Sequence, residues 1–342
     1  MTPRSTPWVA ASGTAAAFLV ALGAGILVLL VLSPSPLGTL SAFFTGPFSS
    51  GLALGNGINE ALLLTLTGLG AALAFGSGAF NLGGEGQIAL GGLTVLALSL
   101  VLPPVWGLFG ALLLLVAATA VSGALSGLSG LLRSRFHADE MITTFLLSAA
   151  VLPLVDALMT APGFSDASSQ MIQSRAIPSA FWLPGLLAPS SLNIGVFLAL
   201  PLVAVFGVLV NRTVWGYRLR LVGRNREFAR YAGVSVRLYR WLPLVLSGGL
   251  QGLAGALAVL GTQHAVVQGF SSGWGWNGVA VALIARTNPW FVLPAAVLLA
   301  FLDQASRWVV LGGSFPFQLS ALFQAFILFF ITAQVIPLWR RR

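Results

Sequence analysis

Long apolar stretches, cut by short clusters of charge, glycine and proline, set the plan of the chain. No charged side chain lies between Arg4 and Glu60, Glu85 and Arg133, Arg175 and Arg212, Arg240 and Arg286, or Arg307 and Arg340. A helix needs about 20 apolar residues to cross about 30 Å of hydrocarbon, and each run holds one or two such helices. Cutting the longer runs at Pro and Gly clusters predicts about ten transmembrane helices. They fall near 9–33, 52–75, 85–102, 106–132, 141–160, 193–211, 241–262, 274–286, 289–306 and 317–338. The eighth is short, which fits a broken or re-entrant segment. The first apolar run, Trp8 to Leu32, exceeds the about 7–15 residues of a signal-peptide core and reads as a retained span. The expected fold class is an all-α polytopic integral membrane protein, with one transmembrane domain over 1–342.

Composition supports the membrane reading. Hydrophobic residues make up 57% of the 342 and charged residues 7%, against about 25% charged in a soluble domain. That is too little charge to wet a water-facing surface. Every basic side chain other than histidine is arginine, since lysine does not occur. A Walker A phosphate loop and a lysine Schiff base are thereby excluded. Cysteine is absent, so no disulfide or thiolate metal site can form. His137 and His264 lie far apart, and no metal site is expected.

The arginines fix an orientation. They sit between apolar runs, a pattern of membrane topology rather than nucleic-acid binding. With the N-terminus in the cytoplasm, ten crossings return the C-terminus there. Every arginine except Arg175 and Arg307 then falls on the cytoplasmic side, eight of them within 212–240. This is the positive-inside asymmetry, and it predicts a multi-pass membrane protein with both termini in the cytoplasm. Residues 161–192, rich in Pro and Ser, become an external loop with an aromatic edge at Phe181 and Trp182. Residues 75–91 (FGSGAFNLGGEGQIALG) are echoed by 270–285 (FSSGWGWNGVAVALIA). The helices before them run in opposite directions, so two inverted-topology halves are expected, roughly 52–160 and 241–338. Transporters so built often break helices at matching positions near the substrate path.

Two motifs carry candidate function. From Gly76 to Gly92, seven of seventeen residues are glycine, which disfavours regular helix. Non-helical backbone at membrane depth is tolerated only against protein or a water-filled cavity. Asn81, Glu85 and Gln87 therefore either line a pathway or pin a broken helix; the plainer alternative is a cytoplasmic turn with Glu85 at a helix N-terminus. In 222–234 (VGRNREFARYAGV), Asn225 can cap a short helix that Gly233 ends. Phe228 and Tyr231 fall on one face of it, an apolar knob among arginines suited to a partner's groove. A basic loop on anionic headgroups is the competing reading, but it leaves Glu227 and the two flanking glycines unexplained.

These motifs resemble those of permease subunits of nucleoside-type ABC importers, in the superfamily that also serves ribose and branched-chain amino acids. The family's "FNIG-EGQ" is matched by Phe80 to Gln87, and its "NPEAARYAG" by Asn225 to Gly233. Its "SG-LAGLAG" is matched by Ser247 to Gly255, "GFS-GYGF-GIAVAL" by Gly269–Leu283, and "RF-VNEVISTI" by Arg133–Thr144. The similarity covers roughly 60–335, with five motifs in order. It implies a permease that is not itself an enzyme, binding no cofactor, with ATP and Mg on a separate ATP-binding cassette ATPase. It also implies a second homologous permease and an extracytoplasmic substrate-binding protein as partners, besides the lipid bilayer. Residues 223–233 would be the coupling helix, with Glu227, Phe228, Arg230, Tyr231 and Gly233 as its contacts. Arg226, Phe228 and Trp276-Asn277 depart from the family pattern.

Other polar residues remain. Asp139-Glu140 reads as a helix cap and salt-bridge partner beside Arg133 and Arg135 rather than a catalytic pair. Glu60, about two turns inside its helix, marks a pathway or pairs with an arginine such as Arg307. Trp274, Trp276 and Asn277 are candidate substrate contacts, the two rings offering a face for a base or forming an aromatic belt. Gln263, His264 and Gln268 either touch substrate or hydrogen-bond at the interface. The expected cargo is a nucleoside or similar small polar solute. A simple sugar, a vitamin such as riboflavin, or an ion-coupled secondary transporter are the alternatives.

Overall fold

The computed structural model describes residues 35–166 and 169–312, with isolated positions 23, 26, 27 and 33 ahead of them. The span expected at 317–338 and nearly all of that at 9–33 lie outside the described residues. The described chain is helical, with isolated antiparallel bridges in place of strands. Its helices are α1 (Pro36–Thr45), α2 (Gly51–Gly76), α3 (Gly84–Ser99), α4 (Gly107–Phe136), α5 (Glu140–Thr160) and α6 (Val196–Arg212). Then follow α7 (Val214–Arg224), α8 (Arg226–Tyr231), α9 (Val236–Ala258), α10 (Trp274–Ile284) and α11 (Pro289–Gly312).

Five helical stretches are long and apolar enough to cross a membrane: 51–76, 104–136, 140–160, 236–263 and 289–311. A sixth arises if α6 and α7, bent 70° at Thr213, count as one. Burial sorts them. The most apolar window of α2 is 89% buried inside the protein and that of α9 83%, whereas in α5 the share is 22%. α5 turns Ile142, Phe145, Leu146 and Leu154 outward, a surface that lipid rather than water must cover. α2 is the axis, packed against α9, α10 and α11, and α9 in turn fits between α3 and α4.

Between helices in lipid, burying leucine gains little, so close backbone approach decides the packing. α9 supplies it through the small-residue stripe Ser247–Gly255. A Cβ added at Gly248 would lie 2.6 Å from the Ser122 carbonyl of α4, and one at Gly252 would lie 2.7 Å from that of Ala118. On the α3 side, a Cβ at Gly91 would lie 2.7 Å from Gly252 Cα. Three helices thus meet where only glycine fits.

Several elements differ from expectation. α1 and a 3₁₀ turn at Gly46–Phe48 precede α2, and α7 lies inside the stretch expected as a loop. α3, expected as a full crossing, has 16 residues, about 24 Å, and does not cross the bilayer alone; α10, expected to be short, has 11, about 17 Å. The loop 161–192 is strapped to the chain after α9. Ser174 N–H donates to Val266 O at 2.8 Å, Ile177 N–H to His264 O at 2.8 Å and Leu183 N–H to Leu260 O at 3.0 Å. Phe181, expected at an aromatic edge, is instead fully buried. Trp182 stacks on His264 with ring centroids 3.8 Å apart, and partial burial holds that imidazole below its ordinary pKa.

The close contact at Gly252 is testable. Gly252→Val lowers stability by about 3 kcal/mol or more through overpacking on both sides, read as a drop in the thermal midpoint of the detergent-solubilised chain. Gly57→Ala, where the nearest atom is 3.6 Å from the new Cβ, leaves the midpoint unchanged or raises it. Similar behaviour of the two variants would remove close approach as the cause.

Candidate functional site

The glycine-rich break after α2 is held by side chains. Asn81 and Gln87 face each other through both amides: Asn81 Nδ2 donates to Gln87 Oε1 at 2.8 Å, and Gln87 Nε2 to Asn81 Oδ1 at 2.9 Å. Asn81 Nδ2 also lies 2.9 Å from Ser247 Oγ, and Gly83 N–H donates to Asn81 Oδ1 at 3.0 Å. Thr144 and Ser148 of α5 accept from the N–H groups of Leu82 and Gly86, at 3.1 and 2.7 Å. The break therefore leaves few backbone donors unmet. Asn81 and Gln87 are each 1% exposed; of the two roles open to them, the described contacts are those of pins.

Glu85 does something different. It reaches from the first turn of α3 to the start of α10, where its Oε1 accepts from Gly275 N–H at 2.7 Å and Trp276 N–H at 3.3 Å. Its carboxylate thus lies at the starts of two half-helices, where the peptide dipoles favour negative charge. The backbones touch there too: a Cβ at Gly84 would lie 2.8 Å from Gly275 Cα. Gln251 of α9 closes the junction, its Nε2 donating to Thr67 O of α2 at 3.2 Å.

Beside this junction opens a cleft of 560 Å³, within the ~300–1,000 Å³ of small-molecule pockets. Asn56, Asn59, Glu60, Trp274, Gln304 and Arg307 line it. Its charges answer one another: Arg307 Nη2 is 2.8 Å from Asp303 Oδ2 and 3.5 Å from Glu60 Oε1. Gln304 Nε2 donates to Glu60 Oε2 at 3.2 Å. Asn59 donates to Thr262 Oγ1 and accepts from Asn193 Nδ2, both at 3.2 Å. The Gln263 side-chain oxygen, also in the lining, is buried with no donor among the described residues. The cleft mixes polar and apolar lining, is aromatic on one side and holds no unanswered charge among the described residues.

Of the sequence candidates, Trp274 lies in the cleft and Glu85 in the junction beneath it. Trp276 is 48% exposed near Phe145, ring centroids 6.4 Å apart, and is not among the cleft-lining residues. Asn277 sits one turn into α10, its N–H bonded to Gly273 O at 2.9 Å. Asn56, Asn59 and Gln304 were not singled out by sequence. For Asn56 and Asn59 the signal was the polar stripe they form with Glu60 on one face of a largely apolar helix; Gln304, on α11, had none.

At the far end of α2, about 30 Å from Asn56, lies the arginine-rich segment. Asn225 caps α8, accepting from Phe228 N–H at 2.9 Å, and Gly233 ends it with φ +74°. Ala229 is buried, while Phe228 is 57% and Tyr231 90% exposed. Glu227 and Arg230 pair at 3.2 Å. Arg226 Nη2 donates to Gly78 O at 3.1 Å, and Gly78, at φ +72°, would place a Cβ 3.2 Å from Gly223 Cα. The segment thus grips the turn that follows α2. Asp139 caps α5, accepting from Met141 N–H at 2.8 Å, and Glu140 is bound by Arg133 and Arg240, so the pair acts structurally.

Two measurements probe these contacts. Glu85→Ala exposes the α10 N-terminus and costs on the order of 1–3 kcal/mol, with Glu85→Gln losing less because its amide oxygen still accepts; an equal loss would deny Glu85 the capping role. Arg307→Ala leaves Glu60 short of its cation and costs a similar amount, most of it recovered in Glu60→Gln/Arg307→Ala. Additive losses in that thermal-unfolding cycle would show the two to be uncoupled.

Comparison with known proteins fits this architecture. Residues 53–332 match the family described as branched-chain amino acid transport system / permease component. The "Probable riboflavin import permease protein RfuC" of Treponema pallidum is 35% identical over 335 residues, covering 94% of this chain and 85% of that protein. The guanosine ABC transporter permease protein NupP of Bacillus subtilis is 30% identical over 321 residues, 93% and 91% of the two chains. The glucose ABC transporter permease protein TsgB13 of Haloferax volcanii is 29% identical over 354 residues, 99% and 92%. With its apolar helices, its broken junction and a match over most of its length, the chain belongs to the permease family of branched-chain amino acid transport systems, as a multi-pass transport subunit.

Proposed function

We propose that this chain forms part of the translocation path of an ATP-binding cassette importer for a nucleoside or a similar solute joining a flat heterocycle to a polyhydroxyl group. The observation that carries the reading is the cleft at the junction, with Trp274 beside amides, hydroxyls and internally matched charges. An aromatic face suits a base, and neutral donors and acceptors suit a sugar. The relatives are named for guanosine, riboflavin and glucose, all neutral polar molecules, two of them heteroaromatic. Riboflavin is the second reading, favoured by the 35% identity of its named permease against 30% for guanosine.

The whole of 1–342 is one permease domain with about ten crossings, arranged as inverted halves 52–160 and 241–338. Both termini face the cytoplasm of a bacterium across its inner membrane. α8 docks into a separate ATPase that holds ATP and Mg, while this chain binds no cofactor and makes no covalent change. A second homologous permease and an extracytoplasmic binding protein complete the importer. ATPase closure pulls α8, and Arg226 carries the pull to the turn after α2. The half-helices α3 and α10 then shift against each other and open the cleft inward. An ion-coupled mechanism would need free carboxylates in the path, yet Glu60 and Asp303 share Arg307 and Glu85 caps α10.

The test is uptake of labelled guanosine and riboflavin into proteoliposomes holding the chain with its co-encoded partners. ATP-dependent uptake of one, lowered about tenfold or more by Trp274→Ala with the complex intact, is expected from loss of about 1–3 kcal/mol of stacking. Phe228→Ala/Tyr231→Ala separates the ATPase from the chain. Uptake driven by an ion gradient without ATP would sink the proposal.

A further inference from the structure

Two cavities that the transport path leaves unused lie end to end between α4 and α9. The larger, of 840 Å³, is apolar and walled by Ala120, Ala124, Leu128, Leu131, Trp241 and Val245. The smaller, of 440 Å³, continues from it toward the arginine segment, the two sharing Ser134, Ser235, Arg237 and Trp241. Trp241 is fixed at the boundary, its Nε1 donating to Gly127 O at 3.0 Å. Arg133, Arg230, Arg237, Arg240 and His137 line the smaller cavity, with Glu140 as its acid.

That acid is already shared by Arg133 and Arg240. Nearby Asp139 caps α5 and Glu227 pairs with Arg230. Arg237 is exposed and forms no ion pair among the described residues, and Arg240 Nε is buried without an acceptor among them. A cationic pocket thus caps an apolar groove. The groove runs along α4 from Ala120 to Leu131, roughly 16 Å, the depth of one leaflet of a bilayer with a hydrocarbon core of about 30 Å.

We propose that this composite groove is a binding site for an anionic phospholipid. The phosphate occupies the arginine pocket and the acyl chains lie along Ala120–Leu131 and Trp241–Val245. The charge excess selects an anionic headgroup over a zwitterionic one, and the apolar length fits acyl chains rather than a free phosphate. The site uses from the preceding reading only that the helices stand in a bilayer, so its failure and the failure of the transport reading are told apart by lipid binding measured without transport.

The test is native mass spectrometry of the full chain, purified in mild detergent and equilibrated with equal phosphatidylglycerol and phosphatidylcholine. Wild type retains phosphatidylglycerol by about tenfold over phosphatidylcholine, and Arg237→Gln or Arg230→Gln each lowers that preference roughly fivefold. Both side chains are exposed, so folding is kept. Arg224→Gln, the same charge change away from the groove, leaves the preference intact. Equal retention of the two lipids, or an equal effect of Arg224→Gln, overturns the proposal. Because the chain has no cysteine, Leu128→Cys supplies a clean second probe. Its oxidative crosslinking into dimers in membranes would show that a second copy covers the groove and would likewise overturn it.

Discussion

The interrupted backbone at the meeting of α3 and α10 is the constraint around which the rest of the structure is arranged. A chain inside a bilayer must satisfy its peptide groups internally, yet α3 and α10 both begin there. Glu85 answers two N–H groups of α10, while Asn81, Thr144 and Ser148 answer those before and within α3. Gly84 and Gly275 let the two backbones touch. Neighbouring elements follow from that contact. α5 is placed to supply hydroxyls, α9 supplies Ser247 and Gln251, and α2 offers Thr67 O to the latter.

α2 then links the two ends of the molecule. Near its start Asn56, Asn59 and Glu60 face the cleft; beyond its end Gly78 is held by Arg226. A helix buried along nearly its whole length is stiff, and the turn after it is rich in glycine. Through Arg226, α8 is tied to the turn that follows α2, and that turn leads directly into the junction.

Much of this was legible in the sequence, because charge is so costly in lipid that charge-free runs delimit helices. The expected 52–75, 141–160 and 241–262 fall within a few residues of the observed helices. α7 was missed because its arginines mark a loop by composition, although Trp215, Leu219 and Val222 already had helical spacing and bury one face. The shortness of α3 was hidden by the apolar residues that follow it to Leu102. The Asn81–Gln87 pair was open to either role, since nothing local says whether an amide faces a partner or a path. The cleft was least legible of all. Glu60 and Gln304 meet across 244 residues, and no spacing rule brings such positions together; only the stripe on α2 hinted at it.

The reliance on arginine has a physical meaning beyond orientation. Arg226 binds the Gly78 carbonyl, Arg133 binds Ala138 O at 3.3 Å while pairing with Glu140, and Arg220 reaches Val210 O. Each caps a carbonyl near a helix end or turn, where the peptide dipole favours a cation. A planar guanidinium does this with several fixed donors and stays charged at any physiological pH, whereas an ammonium is a single point that loses its proton more easily when buried. The same side chains from which an orientation was expected thus hold helix ends and turns in place. Exchanging one for lysine would preserve the positive-inside count and still loosen the turn it caps.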